Sequence, residues 1–198
     1  NMEIKEFITG SSEENGIGNR DIAVFAIGTG AITATKRASR NKLLQKHVAF
    51  FQCDNEPLGC GSNETIGRQT AEECLLKETV LAHNSFHKAI VICTLGGGTG
   101  TGAAPVFAKY LYEKGLEVTN IVTLPFSFEG KNRKSISLAA ANEMSNYAQA
   151  TTVINEDIYQ MLLKDETMTD YFDAIDAHIE NAISFATGIY PQKAPWYK

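Results

Sequence analysis

The stretch that decides the fold is AIVICTLGGGTGTGAAP, residues 89–105. Residues 89–95 are apolar or β-prone at successive rather than alternate positions, which suits a strand buried on both faces. A glycine-rich run follows without a spacer: Gly96, Gly97, Gly98, Thr99, Gly100, Thr101 and Gly102, after which residues 103–114 read as a helix. Glycine lets a backbone approach phosphate oxygens, N–H groups at a helix start favour an anion, and threonine hydroxyls add donors. The run is a candidate phosphate cradle, with Gly100 expected at the surface that phosphate oxygens touch. A Walker loop is excluded, because Ala103 and Ala104 stand where that motif needs Lys and Ser or Thr. A dinucleotide fingerprint can be written as Gly98, Gly100 and Ala103. The next strand, however, ends Thr123-Leu124-Pro125, without the acid that should hold a ribose.

Similar runs recur on either side, at residues 21–27, 48–53, 118–124 and 151–154, with helical patterns at 65–83, 131–148 and 170–186. Alternating strands and helices predict an α/β fold: a Rossmann-like, mostly parallel sheet with helices on both faces, its ligand beyond the carboxyl ends of the strands. At 198 residues the chain is about one domain long. A formal charge of -5 argues against broad nucleic-acid binding, which needs clustered Lys and Arg. The basic stretch at residues 36–46 reads as the solvated face of a helix, or else as a partner surface. The four cysteines lack paired spacing and are expected as free thiols. His83 and His87 stand four apart with no third ligand nearby, so a structural role is expected. No apolar run reaches the ~20 residues of a membrane helix, and the first residues do not read as a secretory signal. A cytoplasmic protein is expected, with Asn1 ahead of Met2 as the remnant of a tag.

The run GGGTGTGAAP resembles the signature loop of the FtsZ/tubulin superfamily, and its AAP continuation is closer to FtsZ. Residues 124–133, LPFSFEGKNR, are similar to a second FtsZ stretch. There the resemblance implies that Glu129 contacts the ribose and that Arg133 lies near the sugar and phosphates. Residues 26–34, AIGTGAITA, occupy the place of the first nucleotide loop, with Gly28, Thr29, Gly30 and Ala31 facing an α-phosphate. Ile32 stands at a position that is glycine in the family and implies a tighter or differently shaped loop. Residues 51–58, FQCDNEPL, match a strand end that keeps Asp54, and residues 60–68, CGSNETIGR, resemble the γ-phosphate loop, implying Gly61 and Ser62 on the phosphate side.

The base pocket departs further. Residues 153–157, VINED, resemble a VIPND stretch with Asn155 on the family's Pro and Glu156 on its guanine-contacting Asn. In the helix at 170–186, Phe172 falls where an aromatic ring stacks on the base, with core packing as the alternative. Ala177 falls where the family carries a guanine-reading acid, and Asp176 stands one residue earlier, a rotation of about 100°. The residues expected on the base side are Asn155, Phe172 and Asp176.

The resemblance implies a GTP/GDP-binding domain accompanied by Mg²⁺, able to self-assemble into filaments or to meet a partner that supplies an acidic loop. The expected division is an N-terminal extension at 1–20, a nucleotide-binding domain at 21–188 and a tail at 189–198. Two readings of the end at Lys198 stay open, a cut from a longer protein or a single-domain relative. Two rivals differ in class: a non-hydrolysing interaction module, and an NAD-dependent oxidoreductase built on Gly28, Gly30 and Asp54.

Overall fold

The computed structural model describes residues 1–7, 20–55, 59–77, 85–163 and 165–190. One six-stranded sheet crosses it: β1 (Met2–Glu6), β2 (Ile22–Ile27), β3 (Val48–Asn55), β4 (Lys88–Thr94), β5 (Glu117–Leu124) and β6 (Ala150–Asn155), in the order β1-β3-β2-β4-β5-β6. Neighbours from β3 to β6 are parallel, and β1 alone runs antiparallel, on the outer edge of β3. The five runs of successive apolar residues are thus the five parallel strands. β1 alternates buried and exposed residues, as an edge strand does, and the strand pattern sought in the sequence did not include it.

The helices are α1 (Thr29–Ser39), α2 (Lys42–Gln45), α3 (Glu64–Leu75), α4 (Gly98–Glu113), α5 (Lys131–Ser145), α6 (Asp157–Leu162) and α7 (Met168–Thr187). Every residue of β2 is buried because both faces are covered. On one face Phe25, Phe51 and Val91 meet Leu75 of α3, Phe107 and Leu111 of α4, and Met144 of α5. On the other, Val24, Phe50, Ile90 and Ile121 meet Ile32 of α1 and Ile175, Ile179 and Ile183 of α7. Each such side chain contributes about 1.5–3 kcal/mol by leaving water. Ile32, expected to reshape the first loop, instead anchors α1 to this second layer.

The basic stretch at 36–46 is not one helix. The chain breaks at Asn41, whose side chain caps α2 by accepting from the N–H groups of Leu43 and Leu44. The helix expected at 65–83 is α3 as far as Leu75, and residues 78–83 of it, with His83, lie outside the described residues. None of the four cysteines is in a disulfide.

This topology places the ligand site. The helix after β2 lies on one face of the sheet, the helix after β4 lies on the other, and the two strands are neighbours. The loops leaving their carboxyl ends therefore diverge, and a crevice opens between Gly28 and Gly96.

Candidate nucleotide site

α4 starts at Gly98, five residues before the sequence-based expectation, so most of the glycine run forms the first helical turn. Glycine is a poor helix former, at about 1 kcal/mol against alanine. Close packing explains why it is used. A Cβ on Gly98 would lie 2.6 Å from the backbone N of Asn63, one on Gly102 2.0 Å from the carbonyl O of Glu64, and one on Gly67 2.4 Å from the carbonyl O of Gly98. The starts of α3 and α4 are thus in backbone contact. A Cβ on Gly28 would lie 3.4 Å from the N of Gly100, which brings the start of α1 to the same point. The first amides of a helix have no intrahelical acceptor; those of Thr65 and Ile66 in α3 are taken by the Asn63 side chain, whereas α1 and α4 have no side-chain cap and their converging starts favour an anion.

One expectation for Gly100 is corrected: a Cβ there would strike the carbonyl O of Thr94 at 2.3 Å, so a side chain would meet the end of β4 and not the space proposed for phosphate oxygens. Gly30 is similar, with Thr94 Oγ1 at 2.4 Å. Gly97 is the open position: φ is -91° and nothing stands within 4 Å of a Cβ. Thr101 accepts from the Gly96 amide through its hydroxyl at 2.8 Å, which holds the loop rather than leaving that amide to a ligand. Thr29 donates to Asp54 Oδ2 at 2.7 Å, and Oδ1 accepts from the Asn55 amide at 2.8 Å. Asp54 therefore braces the first loop. Gly61 and Ser62, at φ 53° and 61°, form the turn before α3, while Ala31 is buried in the core and Thr99 is buried at the start of α4.

Two cavities meet at Gly97 and Arg133. One, about 430 Å³, is lined by Ser62, Glu64, Thr65, Gly96, Thr101 and Asn132 among others. The second, about 560 Å³, runs from Thr29, Gly30 and Thr94 past Glu129 to the aromatic rings Phe126, Phe128 and Phe172. Arg133 borders both, and its NH1 is 3.4 Å from Glu129 Oε2.

The turn that carries Glu129 is held from two sides. Glu129 Oε1 accepts from the Phe126 amide at 3.0 Å. Asp157, at the start of α6, accepts from the Ser127 amide at 2.7 Å and its hydroxyl at 2.6 Å, and also from Lys134. Desolvation pushes the Asp157 carboxyl up, but the hydrogen bonds from Lys134 and Ser127 outweigh it and bring the group down to about 2. A carboxyl lowered in the folded state contributes stability that is complete above its ordinary value near 3.8 and is lost as pH falls through about 2. Asp157→Asn is expected to cost about 1–2 kcal/mol, a fall in the melting midpoint of about 2–8 °C at neutral pH. The difference from the parent should shrink toward pH 2. Melting curves from pH 2 to 7 check this, and coincident midpoints at pH 7 would show that the clamp carries no weight.

At the far end of the larger cavity, Phe172, Ile175, Asp176 and Ile179 come from one face of α7, at the spacing that helical periodicity sets. Phe172 is 49% exposed and meets Phe126 edge-on at 6.2 Å, so core packing does not describe it. Asp176 borders the cavity and Ala177 does not. Asn155 is also absent from the wall, and its side chain accepts from the Asp157 amide at 3.3 Å. Glu156 takes the place on the wall instead. The chain's turn after β6 decides which of these two neighbours borders the cavity, and the sequence alone does not show that turn.

Residues 7–162 match the Tubulin/FtsZ family, GTPase domain. The chain belongs to this family. Among similar FtsZ-family proteins, the cell division protein FtsZ of Haemophilus influenzae is 32% identical over 174 residues, covering 87% of this chain and 39% of that protein. The cell division protein FtsZ of Buchnera aphidicola is 36% identical over 189 residues, covering 83% and 48%. The chain thus spans less than half the length of these relatives. Solved structures with the same fold include an empty FtsZ dimer of M. jannaschii, at TM-score 0.70 and 24% identity over 83% of this chain and 53% of that one. A GDP-bound CetZ1 monomer from Haloferax volcanii follows at 0.68 and 20%, over 85% and 61%. Membership of the Tubulin/FtsZ family does not favour the oxidoreductase reading. No helix among the described residues is long and apolar enough to cross a membrane.

Proposed function

We propose that the chain binds GTP or GDP, with Mg²⁺, as the nucleotide domain of a filament-forming GTPase. The observation that carries this reading is the pair of cavities joined at Gly97 and Arg133. Converging helix starts line one, and aromatic rings and carboxyls line the other. Phosphates suit the first, and a sugar and base suit the second. Glu129 and Arg133, between them, stand where a ribose and its phosphate would lie. Mg²⁺ in such sites is held mainly by phosphate oxygens and water, with one or two carboxylates. Glu64 and the hydroxyls of Ser62, Thr65 and Thr101 fit that donor set, and no group of three His, Cys, Asp or Glu able to hold a metal occurs among the described residues. The cation would arrive with the nucleotide and offset phosphate charge.

Calorimetric titration of GDP and GTP with Mg²⁺ tests binding. Sedimentation with and without GTP tests assembly, since a filament former pellets and a non-hydrolysing module stays small. A solved CetZ2 relative from Haloferax volcanii is a GTPγS-bound protofilament, which supports the assembly reading. Base selectivity is expected to be modest. Ala177 and Glu156 stand where the family's base-reading acid and amide fall. One hydrogen bond to a charged group is worth about 1.5–3 kcal/mol, so its loss lowers guanine preference by roughly 10- to 150-fold. Competition between GTP and ATP measures this, and a preference above about a thousandfold would contradict it.

A further inference from the structure

The wall of the larger cavity carries a buried carboxyl. Glu156 is 8% exposed, sits between β6 and α6, and borders the cavity together with Phe126, Phe172 and Asp176. Buried carboxyls are rare unless paired, because water solvates the charge better than protein does. Among the described residues no cation is dedicated to it. Arg133 of α5 faces it, but Arg133 already lies against Glu129. Lys134 of α5 is bound to Asp157 and Ser127. The other titratable groups around it are Glu129 from the turn, Asp157 and Tyr159 from α6, and Asp176 from α7 across the cavity.

We propose that Glu156 reads the base, meeting the purine edge as a carboxylic acid rather than a carboxylate, so that nucleotide uptake carries a proton with it. This rests on the nucleotide reading of the cavity. A purine edge offers donors and acceptors side by side. A neutral carboxyl offers one O–H donor beside one acceptor oxygen, as an amide does, whereas a carboxylate only accepts. The neutral form therefore suits either purine, in keeping with the modest selectivity expected above.

Three physical effects favour that form. Burial is the largest and pushes the Glu156 carboxyl up to about 7, against the pull of the Thr123 hydroxyl and Arg133 and with the push of Glu129 and Asp157. A base stacked by Phe172 would remove the remaining water. The nucleotide's phosphates would add negative charge at the other end of the same cavity. Asp176 is shifted in the same direction, by burial first and by Asp173 second, with Arg37 opposing.

The sign follows from linkage. If the complex forms with the acid, the free protein must take up a proton whenever pH exceeds the free group's value near 7. Affinity is then flat below about pH 7 and falls roughly tenfold per unit above it. The test is titration of GDP with Mg²⁺ from pH 6 to 8.5, repeated at pH 8 in two buffers of different ionisation enthalpy. For the unaltered chain, uptake approaching one proton is expected at pH 8. Glu156→Gln should keep the pH 6 affinity within about threefold, bind more tightly than the parent at pH 8.5, and take up no proton there. The two-buffer measurement needs no variant, so a Glu156→Gln protein that misfolds leaves the proposal open to refutation. Zero proton uptake by the parent, equal pH slopes in both proteins, or a folded Glu156→Gln that no longer binds would each overturn this proposal alone. No GDP binding at any pH would overturn the nucleotide reading as well.

Discussion

Valine at Gly97 is expected to remove nucleotide binding and leave the fold intact, while valine at Gly100 is expected to damage the fold itself. At Gly97 the backbone is at φ -91° and ψ 164°, a region that valine prefers, and the space around a Cβ is open. That space belongs to the junction of the two cavities, so the methyl groups would stand where phosphate oxygens are proposed. Affinity for GDP should fall at least 100-fold, about 2.7 kcal/mol, with the melting midpoint within about 2 °C of the parent. At Gly100 the first added carbon already lies 2.3 Å from a main-chain carbonyl that cannot turn away without breaking the end of β4. Overpacking of this kind costs about 3 kcal/mol or more, a large share of the usual 5–15 kcal/mol. Paired measurements of melting and GDP titration separate the two. A folded Gly100→Val that loses only binding would restore the role read from the sequence, and a Gly97→Val that binds GDP as the parent does would refute the cradle.

GTP turnover by the 198-residue chain alone is expected to stay below about 0.01 s⁻¹ at saturating nucleotide, at least 100-fold under the ~1–10³ s⁻¹ usual for enzymes. Hydrolysis needs a group that orients or deprotonates water at the last phosphate. Among the described residues, the cavity proposed for the phosphates has one carboxylate on its wall, Glu64. Residues 181–198 contain no Asp or Glu. The family resemblance implies that acidic groups reach the nucleotide from a neighbouring subunit. Tight holding of the phosphates by the loops stabilises the ground state and the transition state alike, which leaves the chemical step as slow as before. Phosphate release is measured on the chain alone and then with a longer native chain that supplies an acidic loop. Turnover by the chain alone that rises with protein concentration into the usual enzyme range would defeat the expectation. Such an outcome would move the role to acids such as Asp165, Glu166 or Asp173, supplied by another copy.

The sequence by itself determined the sheet and the strand end at which a ligand is proposed. Five runs of successive apolar residues were enough to name the five parallel strands, because burial on both faces leaves a local mark that needs no partner to be read. The glycine run after the third of them marked the candidate phosphate loop, since a run of glycines is also a local feature. The edge strand Met2–Glu6 left no such mark, since one of its faces is wet and its pairing with β3 joins residues about fifty apart. Only the tertiary structure decided which glycines face open space and which face protein. Gly97 and Gly100 read alike in a string, and they differ because Thr94 lies under one and open space lies over the other. It also turned Glu156 and Asp176 toward the cavity while Asn155 and Ala177 stayed off its wall. Neighbours on a helix diverge by about 100° and neighbours on a strand by about half a turn. Which of two adjacent residues points inward is therefore set by how α7 and the end of β6 pack on the sheet, through contacts with residues far away in the chain.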